Sequence, residues 1–210
     1  MTTTSAVQAL AACDPRLAVA IGIIGPCTLG KGRGSPYEAL LSAIAHQQLH
    51  GNAASAILLR LRALYPGARY PTPDELLATP DEALRGAGLS RAKLAAMQDV
   101  ARRTLDGTVP DRRAIQRLPN EAIIERITTV RGVGRWTAEM LLMFTLNRPD
   151  VLPVDDFGIR EGFRLLYGKR VQPKPRWLAA YGERWAPHRT TASWYLWRYA
   201  DYERARRRAG

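Results

Sequence analysis

An all-α fold is predicted for this 210-residue chain by three features. Apolar residues recur at intervals of three and four through most of the sequence, no period-two alternation of convincing length interrupts them, and the breaks between runs carry helix caps and breakers. Leu40, Leu41, Ile44, Ala45, Leu49, Ala53, Ile57, Leu58, Leu61 and Leu64 place one or two helices between about Pro36 and Tyr65. Tyr65-Pro66-Gly67-Ala68-Arg69-Tyr70-Pro71 breaks that run. Thr72-Pro73-Asp74-Glu75 then reads as an N-cap, a proline in the first turn and a capping-box glutamate. Short helices are expected at about 73–79, 81–86 and 90–105, with Gly86 and Gly88 ending one of them. Others are expected at about 120–130 and 135–146, and from Asp155 to about Tyr167. After a proline-rich connection at 171–175, the last helices are expected at about 176–182 and 187–206. No clean linker divides the chain. Its 46% apolar content suits one compact unit or two small subdomains sharing an interface.

The charge is lopsided. Thirty-one basic residues against 19 acidic ones give +12. The first hundred residues hold 9 basic and 7 acidic side chains, a net +2, and the remainder 22 and 12, a net +10. An excess concentrated in the second half points to an anionic partner and to a phosphate-tracking surface there. The terminal run Arg206-Arg207-Arg208 reads as solvated surface. No stretch reaches the roughly 18 apolar residues of a membrane span. The N-terminus also lacks the basic start and long apolar core of a signal peptide, so a cytoplasmic protein without membrane association is expected. Cys13 and Cys27 are too few for a four-thiolate cluster and are expected as reduced, buried packing residues. His46, His50 and His188 lack the spacing of a metal triad, so no metal site is expected.

Val130-Arg131-Gly132-Val133-Gly134-Arg135-Trp136-Thr137-Ala138 is the most informative string. Two glycines flank one apolar residue between two amphipathic helices, which allows a sharp positive-φ turn and close approach of a foreign backbone. The N–H groups of the turn and of the following helix then face outward, forming an anion site of the helix-hairpin-helix type on Gly132, Val133, Gly134, Arg135 and Thr137. An ordinary helix connection, with Gly132 as C-cap, is the alternative; Arg131, Arg135 and the surrounding positive charge favour double-stranded DNA, gripped by its backbone without sequence preference.

Gly132-Val133-Gly134-Arg135-Trp136-Thr137-Ala138 is followed, twenty residues beyond Trp136, by Asp156 in Leu152-Pro153-Val154-Asp155-Asp156-Phe157-Gly158-Ile159. Together these strings resemble the helix-hairpin-helix DNA glycosylase superfamily, and within it the AlkA/Mag-like 3-methyladenine DNA glycosylase II group. Ala43-Ile44-Ala45-His46-Gln47-Gln48-Leu49 resembles the family's minor-groove segment, and Tyr181-Gly182-Glu183-Arg184-Trp185-Ala186-Pro187-His188-Arg189 its C-terminal string. The resemblance covers about residues 14–200; the β-rich amino-terminal domain of some members has no counterpart. It implies two helical subdomains, 36–148 and 1–35 plus 149–210, with a cleft between them. It also implies a monovalent cation on hairpin carbonyls and no redox or organic cofactor.

The resemblance further implies base excision repair of alkylated DNA, with hydrolysis of the N-glycosidic bond supported by one carboxylate beside the sugar. Asp156 aligns with the family's acid, and Asp155 becomes cap or support; a Pro-Val-Asp alignment with the oxidised-guanine glycosylases would choose Asp155 instead. For an arbitrary Asp-Asp pair, N-capping and helix-dipole roles would suffice. Where members that also cut the backbone place a nucleophilic lysine, this chain has Trp136, which cannot form a Schiff base. Monofunctional chemistry follows, with Trp136 stacking on an extruded, electron-poor base. Gln47, Gln48 and Leu49 are expected to wedge the duplex, Gln48 at the intercalating position, and His50 to reach the minor groove or a phosphate. Trp197 matches a pocket-lining tryptophan, and Met140 stands where the family can carry a pocket tyrosine. Most of the aromatic stretch at Trp194, Tyr195, Trp197 and Tyr199 is expected in the core. A monomer is expected. The competing readings are a non-catalytic helix-hairpin-helix module, which would bind duplexes and release no base, and a glycosylase for oxidised or mismatched bases.

Overall fold

The computed structural model describes residues 3–30, 32, 34–49 and 51–209, and among these it is helical with no strand. The helices are α1 (Thr3–Cys13), α2 (Pro15–Ile24), α3 (Pro36–His46), α4 (Gly51–Ala63), α5 (Pro73–Ala78), α6 (Asp81–Gly86) and α7 (Arg91–Leu105). There follow α8 (Arg112–Ile115), α9 (Asn120–Ile127), α10 (Arg135–Met140), α11 (Phe157–Leu166), α12 (Pro175–Gly182) and α13 (Arg189–Ala209). The chain divides into two compact units, one of Gly32–Leu146 and one of Met1–Lys31 with Asn147–Gly210.

In the unit Gly32–Leu146, caps decide where helices begin. Ser35 and Thr72 each close a capping box, with Glu38 and Glu75, and Ser90 and Asp111 accept from the N–H groups of Lys93 and Ala114. Each such cap contributes about 1 kcal/mol. Helix α7 packs on α3 and α5, burying Leu40, Leu41, Ile44, Leu76, Met97 and Val100. The apolar run 36–65 forms two helices, because the chain turns sharply after His46 and Gln48 takes a left-handed φ of 57°. Lys93 Nζ closes the end of α3 by donating to the Ala45 carbonyl at 2.6 Å. Helix α8 was too short to show in the periodicity. The single helix expected over 135–146 is instead α10 followed by a wider π turn, Leu141–Thr145, which the Leu146 N–H closes on the Leu141 carbonyl at 3.0 Å.

In the other unit, α11 lies against α13 so closely that a Cβ on Gly162 would collide with the Leu196 carbonyl. Leu10, Leu17, Ile159, Phe163, Trp185 and Tyr195 form its core. At the centre is Asp14, only 1% exposed. It caps α2 by accepting from the N–H groups of Arg16 and Leu17. It also accepts from Tyr167 Oη at 2.6 Å, Tyr181 Oη at 3.3 Å and Trp185 Nε1 at 2.9 Å. These donors satisfy a carboxylate whose burial would otherwise be costly. Burial, and then Asp14, push the Tyr167 hydroxyl well above the ordinary tyrosine range. The cysteines depart from expectation. Both are free thiols, but Cys13 is exposed and Cys27 half-buried, because Ala6 and Leu10 supply the buried face of α1.

Candidate functional site

The hairpin between α9 and α10 is held from both sides. Asp99 Oδ2 accepts the Arg131 N–H at 2.9 Å, and the Val133 N–H closes a turn on the Val130 carbonyl at 3.1 Å. Gly132 has φ +75°, the left-handed conformation expected there, and an added Cβ would press on Ala96 at 3.3 Å. Gly134 differs. Its φ of −92° is open to any residue, and an added Cβ meets nothing within 4 Å. The fold therefore makes no steric demand for Gly134, and the space before it is open to an incoming group. Arg135, expected as a DNA contact, is engaged within the chain. Its guanidinium forms a bidentate pair with Glu121 at 2.6 and 3.1 Å and meets Glu139 at 3.2 Å, and those acids push its pKa up further. Much of its charge is thereby compensated. Thr137 is buried, in the lining of a groove and not out on the turn.

That groove, of about 680 Å³, runs between the end of α3, with His46, Gln47 and Gln48, and a wall of Trp136, Met140 and Phe144. Trp136 is 48% exposed. The spacing of the wall follows from the π turn: four residues overshoot one α turn and undershoot a π turn, so Trp136, Met140 and Phe144 return to one face. Phe144 was missed in the sequence, although its i, i+4, i+8 spacing from Trp136 through Met140 was a signal of a shared stripe. Gln47, expected as a wedge residue, donates its amide Nε2–H to the Gly132 carbonyl at 2.8 Å and so ties the α3–α4 turn to the hairpin. Gln48 and Leu49 are exposed at the tip of that turn. A non-glycine residue at positive φ is a conformation that clusters at functional sites. His50 lies outside the described residues.

In the other unit, the turn after Pro153 delivers Asp156 to the start of α11. Asp156 itself is the N-cap, which corrects the expectation that Asp155 holds that role; Asp155 is exposed. One oxygen, Oδ1, receives both the Ile159 N–H at 2.8 Å and the Trp197 indole N–H at 2.7 Å. Two directed donors on one oxygen fix the plane of the carboxylate and the direction of the other oxygen. Trp197, expected in a pocket wall, also holds this acid through its indole N–H. Gly158 makes room for it, since a Cβ there would lie 2.7 Å from Trp197 Cδ1 and 3.2 Å from Asp156 Oδ1. Gly158 was also missed, although a glycine in the first turn of a helix, where it costs up to about 1 kcal/mol, was a signal of close approach. Arg189 of the C-terminal string makes a bidentate pair with Asp150 at 2.7 and 2.8 Å, fixing the start of α13.

Residues 41–188 match the family model of the HhH-GPD superfamily base excision DNA repair proteins. DNA-3-methyladenine glycosylase 1 of Schizosaccharomyces pombe is 43% identical over 170 residues, 80% of this chain and 75% of that one. The alkylbase DNA glycosidase-like protein mag2 of the same organism is 29% identical over 197 residues, 93% of this chain and 92% of its own. Among solved structures, a 3-methyladenine DNA glycosylase of Schizosaccharomyces pombe in complex with abasic DNA superposes with a TM-score of 0.82 at 38% identity, over 92% of this chain and 95% of that one. A DNA-3-methyladenine glycosidase from Bacillus halodurans gives a TM-score of 0.86 at 37% identity, over 95% and 91%.

Proposed function

This chain belongs to the HhH-GPD superfamily of base excision DNA repair proteins, and on that premise we propose that it is a monofunctional DNA glycosylase. It binds double-stranded DNA through the hairpin and excises alkylated bases such as 3-methyladenine, acting as a cytoplasmic monomer. The observation that carries the reading is the half-buried Asp156 carboxylate, clamped at Oδ1 by Ile159 and Trp197. As the C1′–N bond lengthens, positive charge develops on the deoxyribose, and a fixed carboxylate stabilises it without having to reorganise. Water then bonds to C1′ and its proton passes to the carboxylate, while the base leaves with the bonding pair. An alkylated purine, already cationic, departs as a neutral base, so one acid suffices.

Trp136 offers an exposed indole face in the groove, suited to stacking on an electron-poor base. It has no amine, so the product is an intact abasic strand. Leu49 and Gln48, exposed at the tip of the α3–α4 turn, supply the wedge. A monovalent cation on the hairpin carbonyls belongs to the same proposal. The peptide oxygens of the hairpin are neutral and closely spaced in sequence, of the type that hard cations take, although the Gly132 carbonyl is already engaged by Gln47. Such an ion would add positive charge facing a phosphate.

A panel of duplexes bearing methylated bases, ethenoadenine, hypoxanthine or 8-oxoguanine tests the reading. Release of methylated bases, with strands that break only after alkali, is the expected result. Duplex binding with no release from any lesion would establish a binding module, and preference for 8-oxoguanine would move the enzyme to oxidised bases.

A further inference from the structure

His46 is the last residue of α3 and one wall of the groove that holds Trp136. Its Nδ1 lies 2.8 Å from the Ser42 carbonyl, one turn back on the same helix. A carbonyl can only accept, so Nδ1 carries the proton, and in the neutral ring Nε2 presents a lone pair. Nε2 is on the edge of the ring opposite that bond, and the residue is exposed, so the acceptor is turned away from the helix backbone. Among the other polar side chains of the groove, Gln47 donates its amide N–H to the Gly132 carbonyl and is tied to the hairpin by it, Thr137 is buried, and Gln48 is an exposed, flexible amide on the turn, so His46 alone offers an acceptor on a rigid ring. Trp136 and Met140 offer faces for stacking and no oxygen or nitrogen acceptor.

Alkylation at N3 or N7 of a purine places positive charge on the ring, and that charge makes the exocyclic amino group a stronger hydrogen-bond donor. A neutral acceptor meets such a base without charge repulsion, and a donor bearing charge strengthens the bond. Resting on the glycosylase reading above, we infer that His46 is a specificity-determining residue, whose Nε2 accepts a hydrogen bond from the exocyclic amino group of an alkylpurine in the groove. Lesions without that group leave Nε2 unpaired and are excised more slowly.

Single-turnover base release on two matched pairs tests this: 7-methylguanine against 7-methylhypoxanthine, and 3-methyladenine against 3-methylpurine, each pair differing only by the amino group. His46→Phe keeps a ring and removes the acceptor; His46→Gln restores an acceptor on a flexible arm. In at least one pair, the preference of the wild type for the amino-bearing base should fall about tenfold in the Phe variant and be largely recovered in the Gln variant. Equal slowing of both members of each pair, or ratios unchanged in both pairs, would overturn the inference and leave the glycosylase reading intact. Duplex binding with no base release by the wild type would remove both.

Discussion

Asp156 combines two tasks that usually fall to different side chains. It starts α11, and it is the acid proposed to support base release, with Oδ1 engaged by Ile159 and Trp197. The consequence is rigidity. Trp197→Phe keeps the ring packing and removes one donor, so the carboxylate gains freedom to rotate about the bond that Ile159 retains. The rate of base release should fall about tenfold while affinity for undamaged duplex stays within about twofold, read by single-turnover kinetics and fluorescence titration. Loss of affinity in parallel with rate would place Trp197 in the binding surface instead. Asp156 was singled out in the sequence by its spacing to the hairpin, and its place at a helix start follows from the same string. Its bond to Trp197 was not legible there, because an indole 41 residues away makes that bond only after α13 has packed on α11.

At the scale of elements, the hairpin shows which of two glycines the fold itself needs. Gly132 is held to a left-handed turn, whereas Gly134 is spared any internal constraint. Gly134→Asp should therefore leave the melting temperature within about a degree or two and weaken binding to every duplex alike, by roughly tenfold, since it sets an anion against phosphate. Calorimetry and titration on damaged and undamaged DNA separate the effects; a loss confined to one lesion would contradict a backbone grip. The helices with clear caps, such as α5 with its Thr72 and Glu75 box, were readable in advance because capping is local chemistry. The π turn after α10 was not. It arises within a run whose apolar spacing is helical either way, so no local signature announces it. Helix α1 was similarly silent, an alanine-rich segment with a weak apolar stripe that packs on α2 and α13.

For the molecule as a whole, charge and buried polar networks set both affinity and stability. Asp14 gathers donors from α2, the C-cap of α11, α12 and the turn after it, a convergence that no local pattern announces. Glu161 is held down to about 2 by Arg164 and then Gln172, despite some loss of solvent. A carboxyl depressed in the fold stabilises it fully above its unfolded pKa, near 4.3, and loses that contribution as pH falls toward 2. Urea midpoints should therefore drop over this window, and by less in Glu161→Gln; an identical drop in the variant would exclude this pair as a contributor. The most direct measurement concerns the acid on which the mechanism turns. Asparagine also caps helices well and can accept the Trp197 N–H, so Asp156→Asn removes the charge with little disturbance of the fold. Release of methylated bases should fall at least a hundredfold with duplex affinity retained. Undiminished release by that variant would contradict a catalytic role for Asp156.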